Sequence, residues 1–258
     1  MSSNGLLTNK VYGIYEERLE REVSDGPIPK HIAIIMDGNR RYAREQGLEP
    51  KEGHLAGKEK IKDVLEWCMR MGVKTLTVYA FSTENFNRDP EEVSFLMELI
   101  GTSLRELADD EHIIENRVRL RAIGERDAIP DDMREAIEYA ESKTVDFDDY
   151  FFNMAIAYGG RQEIVSAVKD ISSRVASGEL DIDDIDESTI SDCLYTFDLP
   201  DPDLVLRTSG EFRVSNFLLW QLAYSELYFT DVYWPSFRYI DFLRAIRSYQ
   251  QRARRFGT

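Results

Sequence analysis

Short apolar runs recur along the chain, and stretches with helical periodicity separate most of them. The runs cover residues 32–36, 75–81, 118–122, 151–157 and 204–206. Apolar residues at helical spacing lie within residues 58–71, 90–107, 131–144 and 164–171. A short apolar run between turn residues is typical of a strand buried on both faces, and repeated alternation of strand and helix favours parallel pairing. The pattern predicts an α/β fold with a mainly parallel central sheet flanked by helices.

Three further segments are predicted to be helical. Residues 11–23 are charged, with sparse apolar positions, and end at the turn Gly26–Pro29, which indicates a loosely attached N-terminal helix. Helical spacing also covers residues 215–223 and 239–255. We therefore expect an N-terminal extension over residues 1–27 and a single folded domain over residues 28–258.

The composition limits the class of protein. The chain has 258 residues and a net charge of −16, which opposes nonspecific attraction to nucleic acid, so we expect no nucleic-acid partner. Its cysteines, Cys68 and Cys193, are far apart and lack zinc-ligand spacing, so a disulfide framework is not expected. No apolar run approaches the ~20 residues of a membrane span, and no signal peptide is recognisable. We expect a cytoplasmic protein, at most peripheral to a membrane.

Polar residues collect in three loops that follow predicted strands, at residues 37–41, 82–88 and 207–215. Gly38 would allow an anion close to the backbone at the start of a helix, and Arg40 and Arg41 would add positive charge, as in a diphosphate site. Taken alone, the first loop is better explained as a simple turn with solvated arginines. The other two loops also carry arginines: Arg88, Arg207 and Arg213. Because these arginines could bind a second phosphate group, they favour a diphosphate site over a simple turn.

Two carboxylates and one histidine are also candidates. Asp37 and Glu226 could bind Mg²⁺, which typically takes one or two carboxylates together with substrate phosphates. In isolation, each has an ordinary alternative: a turn residue for Asp37 and an exposed helix-end residue for Glu226. His54 lies between Gly53 and Gly57, just before a helix, and could contact a phosphate.

Six segments together resemble the cis-prenyltransferase family, which includes undecaprenyl diphosphate synthase. They are HIAIIMDGNRR (31–41), AFSTENF (80–86), DLVLRTSGE (203–211), RVSNFLLWQ (213–221), ELYF (226–229) and RRFG (254–257). The resemblance covers residues 28–257. It implies an α/β homodimer with an elongated apolar tunnel, in which isopentenyl diphosphate units extend an allylic diphosphate, each addition forming a cis double bond. It also implies Mg²⁺ as the cofactor.

The resemblance assigns a role to each motif residue. Asp37 would be the essential metal-linked carboxylate, with Glu226 as a second metal ligand. The allylic diphosphate would be surrounded by Gly38, Asn39, Arg40, Arg41, Tyr42 and His54. Near the reacting ends would lie Ser82, Thr83, Glu84, Asn85, Phe86 and Arg88. The isopentenyl diphosphate would be held by Arg207, Arg213, Val214 and Ser215.

Asn85 has the family role of proton acceptor. An amide is a poor base, so this role requires a relay or help from the diphosphate.

The sequence departs from the family pattern at two positions close to the motif residues. Lys51 stands in a turn where many members have an arginine, and Phe212 stands where some bacterial enzymes have a histidine.

The residues and the resemblance together predict a cis-polyprenyl diphosphate synthase that makes the precursor of a glycosyl carrier lipid and delivers it to a membrane. The acidic composition favours an archaeal-type enzyme that starts from geranylgeranyl or farnesyl diphosphate. Two alternatives stay open. One is a short-chain enzyme or one with another acceptor, and the other is a noncatalytic subunit of an active partner.

Overall fold

The computed structural model describes residues 3–253. In chain order, its helices and strands are α1 Ser3–Ser24, β1 His31–Ile35, α2 Asn39–Gln46, α3 Pro50–Met71, β2 Thr75–Ser82, α4 Pro90–Asp109, α5 Glu111–Glu115, β3 Val118–Ile123, α6 Asp131–Lys143, β4 Tyr150–Tyr158, α7 Gly160–Ser177, α8 Glu187–Ser191, β5 Leu204–Arg207, β6 Glu226–Phe229 and α9 Tyr239–Ala253. Short 3₁₀ turns follow β2, at Thr83–Asn87, and precede β6, at Gln221–Tyr224. The alternation of strand and helix agrees with the α/β prediction.

The strands form one sheet in the order β3-β4-β2-β1-β5-β6, and every neighbouring pair is parallel. All five predicted strands are confirmed. The sixth strand, β6, was missed because its four residues are only half-buried and show no alternation of apolar and polar positions. Since β2, β1 and β5 are neighbours, the loops after these three strands meet at the carboxyl edge of the sheet.

The central strands explain why their sequences are continuously apolar. All five residues of β1 and all four of β5 are buried, because the sheet is covered on both faces. On one face, Leu65 of α3 and Leu104 of α4 belong to the same buried core cluster as Ile34 and Leu76 of the sheet. This face carries the larger core cluster.

The predicted helix over residues 215–223 is wrong. Ser215, Asn216 and Leu218 have φ values of 49°, 63° and 45°, which a right-handed helix cannot contain. The apolar spacing has another cause. Phe217 and Leu218 belong to an irregular loop and their side chains are buried in the core, where the Phe217 ring stacks on Tyr79 with centroids 4.5 Å apart.

The predicted loose attachment of the N-terminal helix is also wrong. Leu19 and Val23 of α1 are buried in the core, and α1 packs on α9. The Gln250 amide on α9 donates a hydrogen bond to the Val23 carbonyl at 2.7 Å. The division at residue 27 stays a prediction, and the RRFG motif lies outside the described residues. Within residues 3–253, every helix is too short or too polar to cross a membrane.

Candidate active site

Asp37 lies directly after β1, at the carboxyl edge of the sheet. Its backbone N–H donates to the Thr208 hydroxyl at 2.9 Å. Its Oδ2 accepts a hydrogen bond from the Arg207 guanidinium at 2.8 Å, and its Oδ1 lies 3.3 Å from that of Arg41. Burial opposes ionisation of Asp37, but the hydrogen bond and charge of Arg207, together with the charge of Arg41, outweigh it and lower the pKa. Asp37 is therefore an ionised carboxylate at neutral pH.

Arg207 connects this carboxylate to the loop that follows β5. The side chain is only 5% exposed, and its guanidinium donates to the Ser215 hydroxyl at 2.7 Å and to the Arg213 carbonyl at 2.6 Å. A planar guanidinium with several fixed partners has little freedom to reorient. The structure thus brings Asp37, Arg207 and Ser215 together.

Gly38 begins the turn into α2. Its φ is 107°, and a Cβ at this position would lie 2.8 Å from the Tyr233 ring. Only glycine fits, and it occupies the cap position one residue before Asn39, where α2 begins. The first N–H groups of a helix have no partner within the helix and carry its positive dipole end. They border a polar cleft of about 760 Å³ whose lining includes Asp37, Arg40, Arg41, Arg44, His54, Arg88 and Arg213.

A second group of cations surrounds Glu92, the carboxylate on the first turn of α4. Its oxygens lie 2.8 Å from Arg88, 3.7 Å from Arg40 and 3.5 Å from Nε2 of His54. Burial and the charge of Arg88 lower the pKa of His54, and burial lowers that of Arg88. Sequence reasoning missed Glu92, although its position four residues after Arg88 was a usable signal.

Glu211 is a further residue of the polar cleft to which the sequence assigned no role. Its carboxylate accepts a hydrogen bond from Arg41 at 3.2 Å and also pairs with Arg213. The carboxylate therefore bridges the two arginines in the cleft. Its place in the quoted segment DLVLRTSGE was a signal that could have been used.

Asn216, in the loop that follows β5, joins the loop after β2 to the start of α7. The Asn216 amide donates to Glu84 at 3.0 Å, and its Oδ1 accepts the Arg161 backbone N–H at 2.9 Å. In the same loop, Oδ1 of Asn85 accepts the Ser82 N–H at 3.0 Å. Asn216 lies within the segment 215–223 that was wrongly predicted to be helical, and no role was predicted for it.

The structure does not bring Glu226 to Asp37 within one chain. Glu226 is the first residue of β6 and pairs with Leu204 at the amino edge of the sheet, whereas Asp37 lies at the carboxyl edge. Its carboxylate pairs instead with Arg252 at 3.0 Å. The direction of β6 explains this separation. The strand begins at Glu226 and runs parallel to β5, so its last residue, and not Glu226, lies at the carboxyl edge with Asp37.

The remaining sequence candidates lie in the segments that follow β1, β2 and β5. Tyr42 and Val214 are half-buried, Thr83 belongs to the 3₁₀ turn after β2, and the edge of Phe86 packs on Phe81 with centroids 4.9 Å apart. Lys51 lies over the Phe95 ring, 5.3 Å from its centroid. These placements leave the assigned roles of Tyr42, Thr83, Phe86 and Val214 as predictions.

An apolar slot of about 60 Å³ adjoins the polar cleft. Met36, Asn39 and His54 line both spaces. The slot continues between α3 and α4, where it is lined by Ile61, Ala80, Leu96, Leu99, Ile100 and Ser103. A cationic cleft next to an apolar slot suits an amphipathic molecule with an anionic head and a hydrocarbon tail.

Comparisons with known proteins agree with this geometry. Residues 35–257 match the family model described as "Putative undecaprenyl diphosphate synthase". The chain is 56% identical over 247 residues to a tritrans,polycis-undecaprenyl-diphosphate synthase (geranylgeranyl-diphosphate specific) of Methanopyrus kandleri, covering 96% of this chain and 91% of that protein. The enzyme of the same description from Thermoplasma volcanium is 52% identical over 257 residues, with both chains covered completely.

A solved structure shows the same fold. It is the lavandulyl diphosphate synthase of Lavandula x intermedia in complex with dimethylallyl diphosphate, with 39% identity and a TM-score of 0.82. The superposition covers 89% of this chain and 96% of that protein. The matched residues include the loops after β1, β2 and β5 that build the polar cleft. The chain therefore belongs to the undecaprenyl diphosphate synthase family, the cis-prenyltransferases that its sequence motifs resemble.

Proposed function

We propose that this cis-prenyltransferase extends geranylgeranyl diphosphate by repeated addition of isopentenyl diphosphate and makes a long-chain polyprenyl diphosphate. The starter follows from the names of the archaeal relatives, which are 56% and 52% identical to this chain. The product would be the precursor of a glycosyl carrier lipid.

One observation carries the proposal: the polar cleft and the apolar slot share Met36, Asn39 and His54 as lining residues. A prenyl diphosphate has the same division into a charged head and an apolar tail. The cleft would hold the head near Arg40 and Arg41, while the tail would enter the slot between α3 and α4. The growing end of the chain then stays next to the bound diphosphates, as repeated addition requires.

The reaction forms a carbon–carbon bond while the allylic carbon–oxygen bond breaks, and one proton leaves the isopentenyl unit. Negative charge develops on the departing diphosphate. The cations and backbone N–H groups that surround the cleft stabilise this charge without having to reorganise. Arg207 and Ser215 would bind the isopentenyl diphosphate on the side of β5, and the fixed position of Arg207 would orient it.

Asp37 fits a magnesium site. Mg²⁺ is commonly held by one or two carboxylates together with substrate phosphates and water, and Asp37 is an ionised carboxylate at the edge of a cationic cleft. Within residues 3–253, no three acidic, histidine or cysteine side chains form a metal site by themselves, so the substrate phosphates would complete the shell. Bound Mg²⁺ supplies charge neutralisation for the leaving diphosphate.

The departing diphosphate would accept the proton of the isopentenyl unit, beside the 3₁₀ turn after β2. Asn85 lies on this turn with its Oδ1 already engaged by the Ser82 N–H. A neutral amide binds a proton weakly, so Asn85 would orient the isopentenyl unit and the diphosphate would take the proton.

We also propose that the enzyme works as a homodimer in the cytoplasm and delivers its product to the membrane.

The test uses the purified full-length chain with Mg²⁺ and labelled isopentenyl diphosphate. Dimethylallyl, geranyl, farnesyl and geranylgeranyl diphosphates are supplied in turn, and the products are sized by chromatography. We expect long products with the highest rate from geranylgeranyl diphosphate, and no incorporation when Mg²⁺ is chelated. Size-exclusion chromatography with light scattering measures the oligomeric state.

Other results of this assay would support one of the alternative functions or contradict the role of Mg²⁺. Products of one or two additions would favour the short-chain enzyme, and incorporation only in the presence of a second protein would favour the noncatalytic subunit. Incorporation that persists without divalent metal would contradict the proposed role of Mg²⁺.

A further inference from the structure

The apolar slot is too small for the chain that the enzyme is proposed to make. Its volume is about 60 Å³, whereas a water molecule alone takes about 30 Å³ and ligand pockets usually measure about 300–1,000 Å³. The slot lies between α3 and α4 over the sheet, so separation of these two helices would enlarge it. The contacts that join α3 to α4 therefore control how much chain the slot admits.

The two sides of α4 differ in how they are held. Toward α6, Gly101 lies near the neighbouring helix: a Cβ at this position would be in ordinary van der Waals contact with the sulfur of Met133 at 3.4 Å and with Cβ of Ala136 at 3.6 Å. The contact between α4 and α6 is also much more extensive than that between α3 and α4. Separation should therefore occur at the seam between α3 and α4.

Ion pairs bridge this seam beyond the slot. Nζ of Lys58 on α3 lies 2.6 Å from the carboxylate of Glu106 on α4, and Nζ of Lys62 lies 3.1 Å from that of Asp110. Lys58 itself lines the slot and is only 14% exposed at the side chain. Glu106 lies one helical turn beyond Ser103, the last residue of α4 that lines the slot.

We propose that the Lys58–Glu106 ion pair is a specificity-determining contact that limits product chain length by holding α3 and α4 together beyond the slot. The inference rests on the proposed chain-elongating function. A lengthening tail that passes Ser103 must separate the helices where Lys58 and Glu106 join them. Because Lys58 is largely shielded from solvent, the pair resists separation more than a fully exposed pair would.

Lys58→Met keeps the apolar stem of the side chain and removes its charge, and Glu106→Gln keeps the size of its partner. We expect the single and double variants to make products longer than the wild type by one or more isoprene units. Because the substitutions lie away from Arg207 and Ser215, the KM for isopentenyl diphosphate should stay within about twofold of that of the wild type. The reversed pair, Lys58→Glu with Glu106→Lys, should return the products to the wild-type length.

The chain offers a matched control on the same helix. Lys60 and Asp63 form an ion pair of 2.6 Å within α3, which does not bridge the seam. Lys60→Met with Asp63→Asn should therefore leave the product lengths unchanged, and thermal unfolding of all variants separates a loss of stability from a change in length.

The outcomes distinguish this inference from the proposed function. If the wild type elongates geranylgeranyl diphosphate but the Lys58 and Glu106 variants make the same length distribution, the inference is overturned. An equal lengthening in the Lys60–Asp63 control would overturn it as well. If the wild type incorporates no isopentenyl diphosphate, the proposed function has failed instead.

Discussion

The carboxylate of Asp37 and the guanidinium of Arg207 are joined by a hydrogen bond of 2.8 Å, although the two residues are 170 positions apart in the chain. The bond crosses between the neighbouring strands β1 and β5 at the carboxyl edge of the sheet. It fixes the carboxylate at the edge of the cleft and lowers its pKa, so the negative charge persists at neutral pH.

Asp37→Asn keeps the shape of this side chain and removes its charge. We expect turnover to fall by roughly 100-fold or more, because the variant loses the anionic group that is proposed to hold Mg²⁺. Incorporation of labelled isopentenyl diphosphate measures the loss, and circular dichroism checks that the fold is kept. Asp25→Asn, at an exposed position outside the cleft, is the control and should retain full activity. Near-normal turnover in Asp37→Asn would refute the assigned role.

His31 makes the stability of the protein depend on pH. Its ring is buried between the Pro200 carbonyl and the Thr77 hydroxyl, at 2.7 and 2.8 Å, and burial lowers its pKa to about 4. In the unfolded chain a histidine titrates near pH 6.5. Between these values the unfolded state binds the extra proton, so the free energy of unfolding should fall as pH decreases, by on the order of 3 kcal/mol for this residue.

Urea unfolding between pH 4 and 7 measures that slope. His31→Gln removes the titrating ring, so its stability should change less with pH than that of the wild type, even though the variant is less stable at pH 7. The control is His112→Gln, because His112 is exposed. Equal slopes for the wild type and His31→Gln would contradict the argument.

The site residues that come at the end of a buried strand were predictable from the sequence. The residues whose position depends on how separate elements pack together were not. Asp37 and Arg207 each come at the end of a buried apolar run, so the parallel sheet alone brings them to one edge. Glu226 was expected at the same site, but its position depends on where the four-residue β6 begins against β5. Glu92 was missed because its role comes from α2 and α3, which bring Arg40 and His54 to it.

Glu163 is a buried carboxylate behind the cleft, and it stabilises the fold. Its oxygens accept hydrogen bonds from the Tyr158 hydroxyl at 2.5 Å, the Tyr195 backbone N–H at 3.0 Å and the Gln221 amide at 3.1 Å. Glu163→Leu leaves the Tyr158 hydroxyl and the Tyr195 N–H without this acceptor, whereas the Gln221 amide still donates to the Thr196 hydroxyl at 3.0 Å, so we expect a loss of about 3 kcal/mol in the free energy of unfolding.

Glu163→Gln keeps one acceptor oxygen at this position and should cost less than Glu163→Leu. Urea unfolding of both variants at pH 7 measures the difference. Glu187→Leu, at an exposed position on α8, is the control and should change stability by no more than about 0.5 kcal/mol. If the two Glu163 variants are as stable as the wild type, the hydrogen bonds to Glu163 contribute nothing to stability.

Asn216 is expected to position the loop that binds isopentenyl diphosphate. It follows Ser215 directly, and its amide joins that loop to Glu84 after β2 and to Arg161 at the start of α7. Asn216→Asp keeps the oxygen that accepts from Arg161 but places a second carboxylate against Glu84. The repulsion should displace Ser215 and raise the KM for isopentenyl diphosphate by about tenfold, with a smaller change in the KM for the allylic substrate.

A second substitution separates this positioning effect from general damage. Glu84→Gln in the Asn216→Asp background restores a donor–acceptor pair, with the glutamine amide now donating to the aspartate. The KM for isopentenyl diphosphate in the double variant should fall back toward the value of the Glu84→Gln single variant, because the repulsion is gone. Steady-state kinetics with each substrate varied in turn measures both constants. If the two substitutions raise the KM additively, without recovery, Asn216 does not position the loop through Glu84.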